Sequence, residues 1–272
     1  MQCPFSQINN STLPNEAEMD YSDYLQLEKI LNSQKMLSDV PEEMLFIIQH
    51  QTSELWMKLL LHELMGAVSF IREDKIAQAL NSLSRTNTIL THLIHAWEVM
   101  ATLSPVDFLA MREVLGSASG MQSSQFREIE FLLGNKNRHY LADYRKNQGA
   151  VRALQIRLEE PSLYDEVIEL LKRSAVFSPT NASYGAEMVE QIWIRIYQQR
   201  EEYWSLYELG EKLVDIAESF RRWRFQHVSI VERIIGNRPG SGGTSGVNYL
   251  RSTLNTSLFP ELYHMRTQLQ PV

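Results

Sequence analysis

His227 is a polar residue on a stripe that is otherwise apolar. Leu213, Ile216, Phe220, Trp223, His227, Ile230, Val231 and Ile234 recur at spacings of three and four, the period of one buried helix face. An imidazole facing a core needs a partner, because an unpaired polar group held out of water costs free energy. Two kinds of partner suit it: a core carbonyl that accepts its N–H, or a metal or cofactor iron that takes its nitrogen lone pair. His50 is a second histidine on a largely apolar helix. It lies one turn beyond Phe46 within Phe46-Ile47-Ile48-Gln49-His50-Gln51-Thr52-Ser53-Glu54-Leu55-Trp56, so the two rings share a helix face. Alone, that pair reads as ordinary aromatic packing. Taken with His227 it points to a site, and the long sequence separation puts any shared group between two helices.

Arg112 follows Phe108 by one turn and sits beside Met111. A guanidinium emerging among apolar residues can clamp a carboxylate through two parallel hydrogen bonds, or it can form a surface ion pair with Glu113. Arg221, Arg222 and Arg224 flank Trp223 and offer either partners for anionic cofactor groups or a solvated face. The segment from Gly236 to Gly246 is glycine-rich but is no phosphate loop. No strand precedes it, no Lys-Ser/Thr pair ends it, and Ser245 stands where a dinucleotide fingerprint beginning at Gly240 needs its third glycine. It reads as a loop able to close over a pocket, or as a plain surface turn.

Metal sites made of side chains alone fit poorly. His62-Glu63 is followed by Gly66 where a zinc-protease motif needs histidine, and Glu-x-x-His occurs only at Glu261-Leu262-Tyr263-His264. His92, His95 and Glu98 read as an exposed helix edge beside Trp97. The single cysteine, Cys3, excludes an internal disulfide, a cysteine-based zinc site and thioether attachment of a cofactor.

Helices must position these groups. Asp39-Val40-Pro41-Glu42 predicts the start of a long helix running to about Glu73, and a second covers about Lys75 to Thr102. Ser104-Pro105-Val106-Asp107 repeats the start signal, and Gly116 ends that helix. A loop of small residues then leads to another helix ending near Leu133. Residues 138–186 read as a small helical insertion on the surface, with amphipathic pieces at Val151–Leu158 and Leu163–Leu171. A long helix resumes near Glu187, breaks around Gly210 and carries the His227 stripe to Ile235. Strand-like alternation is absent, so the expected fold is all-α, a helical bundle. Residues 1–19 are polar and predict an N-terminal arm, leaving 20–272 as the folded domain.

With 272 residues and 44% hydrophobic content, the chain can bury a sizeable core. Its net charge of −7 gives no basic field for a polyanion, so nucleic acid is not an expected partner. Met1 to Asn15 has no basic start followed by an apolar run, and the most apolar later stretch, Leu59 to Ile71, is broken by His62 and Glu63. The expectation is a cytoplasmic protein with no membrane partner.

Together, Phe46 to Trp56, Arg112 to Gly120, Trp223-Arg224-Phe225-Gln226-His227 and the glycine-rich segment resemble the tryptophan 2,3-dioxygenase family. The similarity runs from Tyr21-Ser22-Asp23-Tyr24-Leu25 to Phe259-Pro260-Glu261-Leu262. The resemblance implies an all-helical fold, a homotetramer built as a dimer of dimers, and haem b (iron protoporphyrin IX) bound without covalent links. It implies that His227 is the axial ligand of the haem iron and His50 the distal histidine facing the substrate's indole N–H. Phe46 and Phe108 then border the substrate, Arg112 grips its carboxylate, and Ser241 stands where the family usually has threonine beside the ammonium. Trp97 and Ser119 match residues near the haem, and Tyr21, Tyr24 and Leu25 match residues that enter the neighbouring subunit's pocket.

The implied reaction takes O2 as co-substrate and inserts both atoms across the indole C2–C3 bond of L-tryptophan, giving N-formylkynurenine. Three departures from the family pattern bear on the pocket: Met111 and Met121 replace aromatics, and Ser241 with Thr244 alters the usual glycine-rich loop. A roomier site suits a substituted tryptophan. It also suits a relative that inserts one oxygen atom, making a 2-oxindole from tryptophan or β-methyltryptophan with an external reductant. A haem-binding sensor without turnover is the non-enzymatic alternative, and it has no use for the Arg112 clamp.

Overall fold

The computed structural model describes residues 20–145, 147–174, 176 and 185–270. Among them no residue lies in a strand, and the chain is all-α. The expected polar arm, 1–19, lies outside the described residues. The chain divides into two compact units, Met1–Lys35 and Met36–Val272. Among the described residues no helix is long and apolar enough to cross a membrane.

The first unit holds two one-turn helices, α1 (Tyr21–Leu25) and α2 (Leu27–Leu31). Asp20 caps α1, its carboxylate accepting the Asp23 amide at 2.7 Å. Gln26 stands between them in the left-handed region at φ 52°, which ends one helix and begins the next. Neither helix buries a residue.

The second unit contains α3 (Glu42–Arg72), α4 (Ile76–Met100), α5 (Pro105–Leu115), α6 (Ser124–Leu132), α7 (Gln148–Glu159), α8 (Leu163–Arg173), α9 (Ala186–Gln198) and α10 (Trp204–Ile235), followed by short α11 (Val247–Thr253) and α12 (Pro260–His264). α4 is the centre, packed along α3 on one side and α10 on the other. Leu60, Leu64 and Ile71 of α3, Leu83 and Leu90 of α4, and Leu213, Ile216 and Phe220 of α10 are almost wholly removed from water in one core. Each such side chain stabilises the fold by about 1.5–3 kcal/mol. The predicted α10 stripe is therefore a core face.

The start of α3 differs from expectation. Glu43, rather than Asp39 with Glu42, serves the preceding turn, its carboxylate accepting the Leu37 and Ser38 amides at 2.9 and 2.7 Å. The Ser38 hydroxyl first, with these amides, holds the Glu43 carboxyl below the usual carboxylate range. α5 follows its sequence signals: Ser104 Oγ accepts from the Val106 amide at 3.2 Å, Pro105 opens the helix and Gly116 closes it.

Two further elements depart from the sequence reading. The break expected at Gly210 falls at Gln199–Tyr203, between α9 and α10. Gly210 lies inside α10, where a Cβ would come within 3.0 Å of the Trp193 ring of α9. This glycine serves close helix packing, not chain reversal. Within 138–186 the described residues are mostly helical, yet α8 is no surface appendage. Leu163, Val167, Leu170 and Leu171 pack into the main core, and Arg72 clamps Glu166 at 2.8 Å from α3.

Candidate functional site

α3, α4 and α10 bring His50, Trp97 and His227 to the walls of two clefts that share these residues, Gly120, Met121 and Leu250. The clefts enclose about 890 and 880 Å³ of space outside the protein atoms, counting the solvent at their open mouths. One continues past Phe126 and Trp223 to Arg127, Glu130 and Arg224. The other continues past Phe46 and Phe108 to Arg112, Ser119, Ser241 and Thr244.

His227 is half-buried, and its ring has no hydrogen-bond partner among the described residues. The carbonyl-bonded core histidine that the sequence left open is therefore not what forms here. The Trp97 indole stacks on the imidazole at 4.8 Å between ring centroids and 13° between planes, and Trp223 leans on it at 5.5 Å. Burial, and secondarily the neighbouring His50, push its pKa down to about 4. The ring is neutral at ordinary pH and keeps a lone pair for a metal.

His50 is different. Its Nδ1 lies 2.7 Å from the Phe46 carbonyl oxygen. A carbonyl only accepts, so in the neutral ring Nδ1 carries the proton and Nε2 is left as an acceptor. Burial lowers the His50 pKa against the raising effects of the Phe46 carbonyl and Glu54. Phe46 packs on the imidazole at 4.2 Å and on Phe108 at 6.1 Å.

The polar end of the second cleft is built by two loops. Arg112 donates through Nη2 to the Pro239 carbonyl, not to Glu113. Ser241 Oγ donates to the Ala118 carbonyl at 2.6 Å. Ser119 Oγ accepts from the Met121 amide at 3.3 Å. The glycine-rich segment is thus fastened over the 116–120 turn. Gly246, at φ 65°, sits so close to the Arg238 carbonyl that a Cβ would stand 2.4 Å from its oxygen.

Met121 and Thr244 line the clefts, whereas Met111 is fully buried in the small core cluster behind the wall and lines neither. That departure lies behind the wall, in the cluster on which Phe46, Trp97 and Phe108 pack. The arginines around Trp223 also separate. Arg221 and Arg222 are exposed, with Arg221 paired to Glu218 at 3.1 Å, while Arg224 is buried against Glu130. Arg127 and Glu130 were missed by sequence reasoning, since an Arg-Glu pair three residues apart is the commonest solvated helix pattern. His95 and Glu98 pair at 3.7 Å on the exposed face of α4, and His92 packs on Trp56. Tyr21, Tyr24 and Leu25 lie on α1 in the first unit, with Tyr21 and Tyr24 75% and 71% exposed.

An all-helical chain with two histidines from different helices on shared clefts has the kind of interior in which helical bundles build ligand and cofactor sites. Comparison with known proteins narrows this. The profile of the family described as tryptophan 2,3-dioxygenase matches residues 7–192 and 180–269. The chain is similar to tryptophan 2,3-dioxygenase of Polaromonas sp. (strain JS666 / ATCC BAA-500), 49% identical over 260 residues covering 93% of this chain and 88% of the relative. It is 48% identical to that of Pseudomonas aeruginosa (strain PAO1) over 287 residues, 98% and 99% of the two chains. It is also 48% identical to that of Bordetella pertussis (strain Tohama I) over 260 residues, 93% and 92%. The chain belongs to the tryptophan 2,3-dioxygenase family.

Proposed function

We propose that this protein is a haem-dependent oxygenase that opens the indole ring of L-tryptophan with O2, giving N-formylkynurenine. The observation that carries the reading is the His227 imidazole: neutral, stacked on Trp97, without a hydrogen-bond partner among the described residues, and on a cavity that His50 lines from another helix. The residues fit a porphyrin. The walls are largely apolar and aromatic, the His227 nitrogen would hold the iron, and Trp97 Nε1 is a buried donor with no hydrogen-bond partner among the described residues. With Cys3 the only cysteine, attachment is non-covalent, as in haem b. When bound, the haem iron supplies the activation of O2 that no side chain provides.

The rest is work for this chain's own groups. His50 Nε2 accepts from the indole N–H and so orients the ring without removing its proton. Phe46 and Phe108 flank the indole. Arg112 has one N–H committed to Pro239 and others left for the substrate carboxylate. Ser241, its own proton given to Ala118, turns lone pairs toward the substrate ammonium. Ser119 caps the turn that carries these contacts.

The reading includes a cytoplasmic homotetramer. Met44, Ile48, Leu55, Leu59 and Met65 form an exposed apolar row along α3, which supports burial against another copy. Tyr21, Tyr24 and Leu25, on helices with no core of their own, suit a place in a neighbouring subunit's pocket.

Ferrous protein given tryptophan and 18O2 tests the reaction. Two labelled atoms in a ring-opened product are expected by mass spectrometry. One labelled atom in an intact lactam would instead assign the 2-oxindole reaction, and no O2 uptake would leave a sensor.

A further inference from the structure

Arg127 of α6 and Arg224 of α10 line the same cleft as His227 and are 3% and 4% exposed. Glu130, 2% exposed, is the one carboxylate among the described residues that either meets, pairing with Arg127 through one oxygen and with Arg224 through the other. Arg224 also donates to the Thr253 carbonyl at 3.1 Å. The Arg127 guanidinium lies 3.4 Å over the Tyr140 ring, and its Nε is buried without a hydrogen-bond partner among the described residues.

Two guanidiniums on one carboxylate leave one positive charge out of water. Arginine cannot shed its proton, and an uncompensated buried charge is costly. The neighbours do not supply the missing negative charge. Tyr144 and Tyr249 hydroxyls are kept protonated by burial, and Asp143 is exposed. Glu54 lines the cleft from α3, where its carboxylate accepts the Gln125 amide at 2.7 Å and pairs with neither arginine. The counter-charge must come from what the cleft holds.

We infer that Arg127 and Arg224, with Glu130 between them, form a carboxylate subsite that takes a propionate of the porphyrin. This rests on the haem reading above. An amino-acid carboxylate is the other source of the same chemistry, but Arg112 serves that group in the second cleft.

The full chain, freed of haem, is titrated with iron protoporphyrin IX and with its dimethyl ester, followed by Soret absorbance and tryptophan fluorescence. The free acid binds at least about tenfold tighter than the ester, as charge-assisted hydrogen bonds require. Arg127→Met, which leaves Glu130 neutralised by Arg224, brings the ratio close to one. Equal affinity for acid and ester in the unaltered protein, a measurement that needs no variant, overturns the subsite and leaves the haem reading standing. Binding of neither porphyrin overturns both. Competition by added tryptophan against the acid but not the ester assigns the subsite to the amino acid and overturns the propionate.

Discussion

The indole of Trp97 and the imidazole of His227 lie face to face, 13° from parallel with centroids 4.8 Å apart. Ligand histidines are commonly oriented by a hydrogen bond from their second nitrogen, and His227 has none among the described residues. In the proposed haem site aromatic contact takes over that task, with Trp223 leaning on the same ring from its own helix. Such contacts contribute about 1 kcal/mol. Trp97→Ala should therefore release haem severalfold faster than the unaltered protein, and Trp97→Phe should restore most of the retention. Transfer to excess apomyoglobin measures both rates. Unchanged release from Trp97→Ala would show that something else fixes the ring.

His50 offers Nε2 as an acceptor only because the Phe46 carbonyl, 2.7 Å away, claims the proton on Nδ1. Removing the acceptor with His50→Phe should lower kcat/KM for tryptophan by about tenfold to a hundredfold, the cost of leaving a buried donor unpaired. With 1-methyltryptophan, which has no indole N–H, the same substitution should cost far less. Equal losses on both substrates in this double cycle would refute the assigned contact.

The sequence made the local signals legible and hid the tertiary ones. Ser104, Pro105 and Gly116 bound α5 as read, because caps act within one turn. Gly210 reads as a break from sequence because its reason, the Trp193 ring of α9, is seventeen residues away and visible only once the helices pack. The His227 stripe was legible from periodicity, but its unpartnered imidazole was not. Arg127 and Glu130 stayed hidden since nothing in an i, i+3 pair reveals that Arg224 arrives from α10 to bury both.

Burial keeps both cavity histidines neutral, with His227 pushed down to about 4 and His50 lowered in the same direction. In the unfolded chain each takes a proton near pH 6.5. The unfolded state thus binds protons first as pH falls, so this contribution to stability is complete above about pH 6.5 and is lost on the way down to 4. Thermal melts of the haem-free chain should show Tm falling across that window. The His227→Leu variant should fall less steeply, and parallel curves would remove His227 as the cause.

In the proposed reading Arg112 grips the substrate carboxylate as a planar fork, and Arg112→Lys keeps the charge while losing the fork. A loss of about a hundredfold in kcat/KM for tryptophan is expected, with little change in the much weaker turnover of tryptamine, which has no carboxylate. Steady-state rates on the two substrates decide it. If lysine serves as well, the contact is a simple charge and not a clamp.

Gly246 controls the same clamp from a distance. The Pro239 carbonyl that Arg112 meets belongs to a turn closed by the Gly240 amide on the Thr244 carbonyl at 3.1 Å. Gly246 seats that turn by lying against the Arg238 carbonyl at φ 65°, where no side chain fits. Gly246→Ala must part residue 246 from the Arg238 carbonyl and the Gly240 amide, displacing Pro239 with the turn it opens. Trp97 and His227 stand on α4 and α10, outside the displaced turn. The variant should therefore bind haem as the unaltered protein does, with the same Soret band, while its KM for tryptophan rises about tenfold. An unchanged KM would mean that the turn does not position the clamp, and a lost Soret band that it supports the cofactor instead.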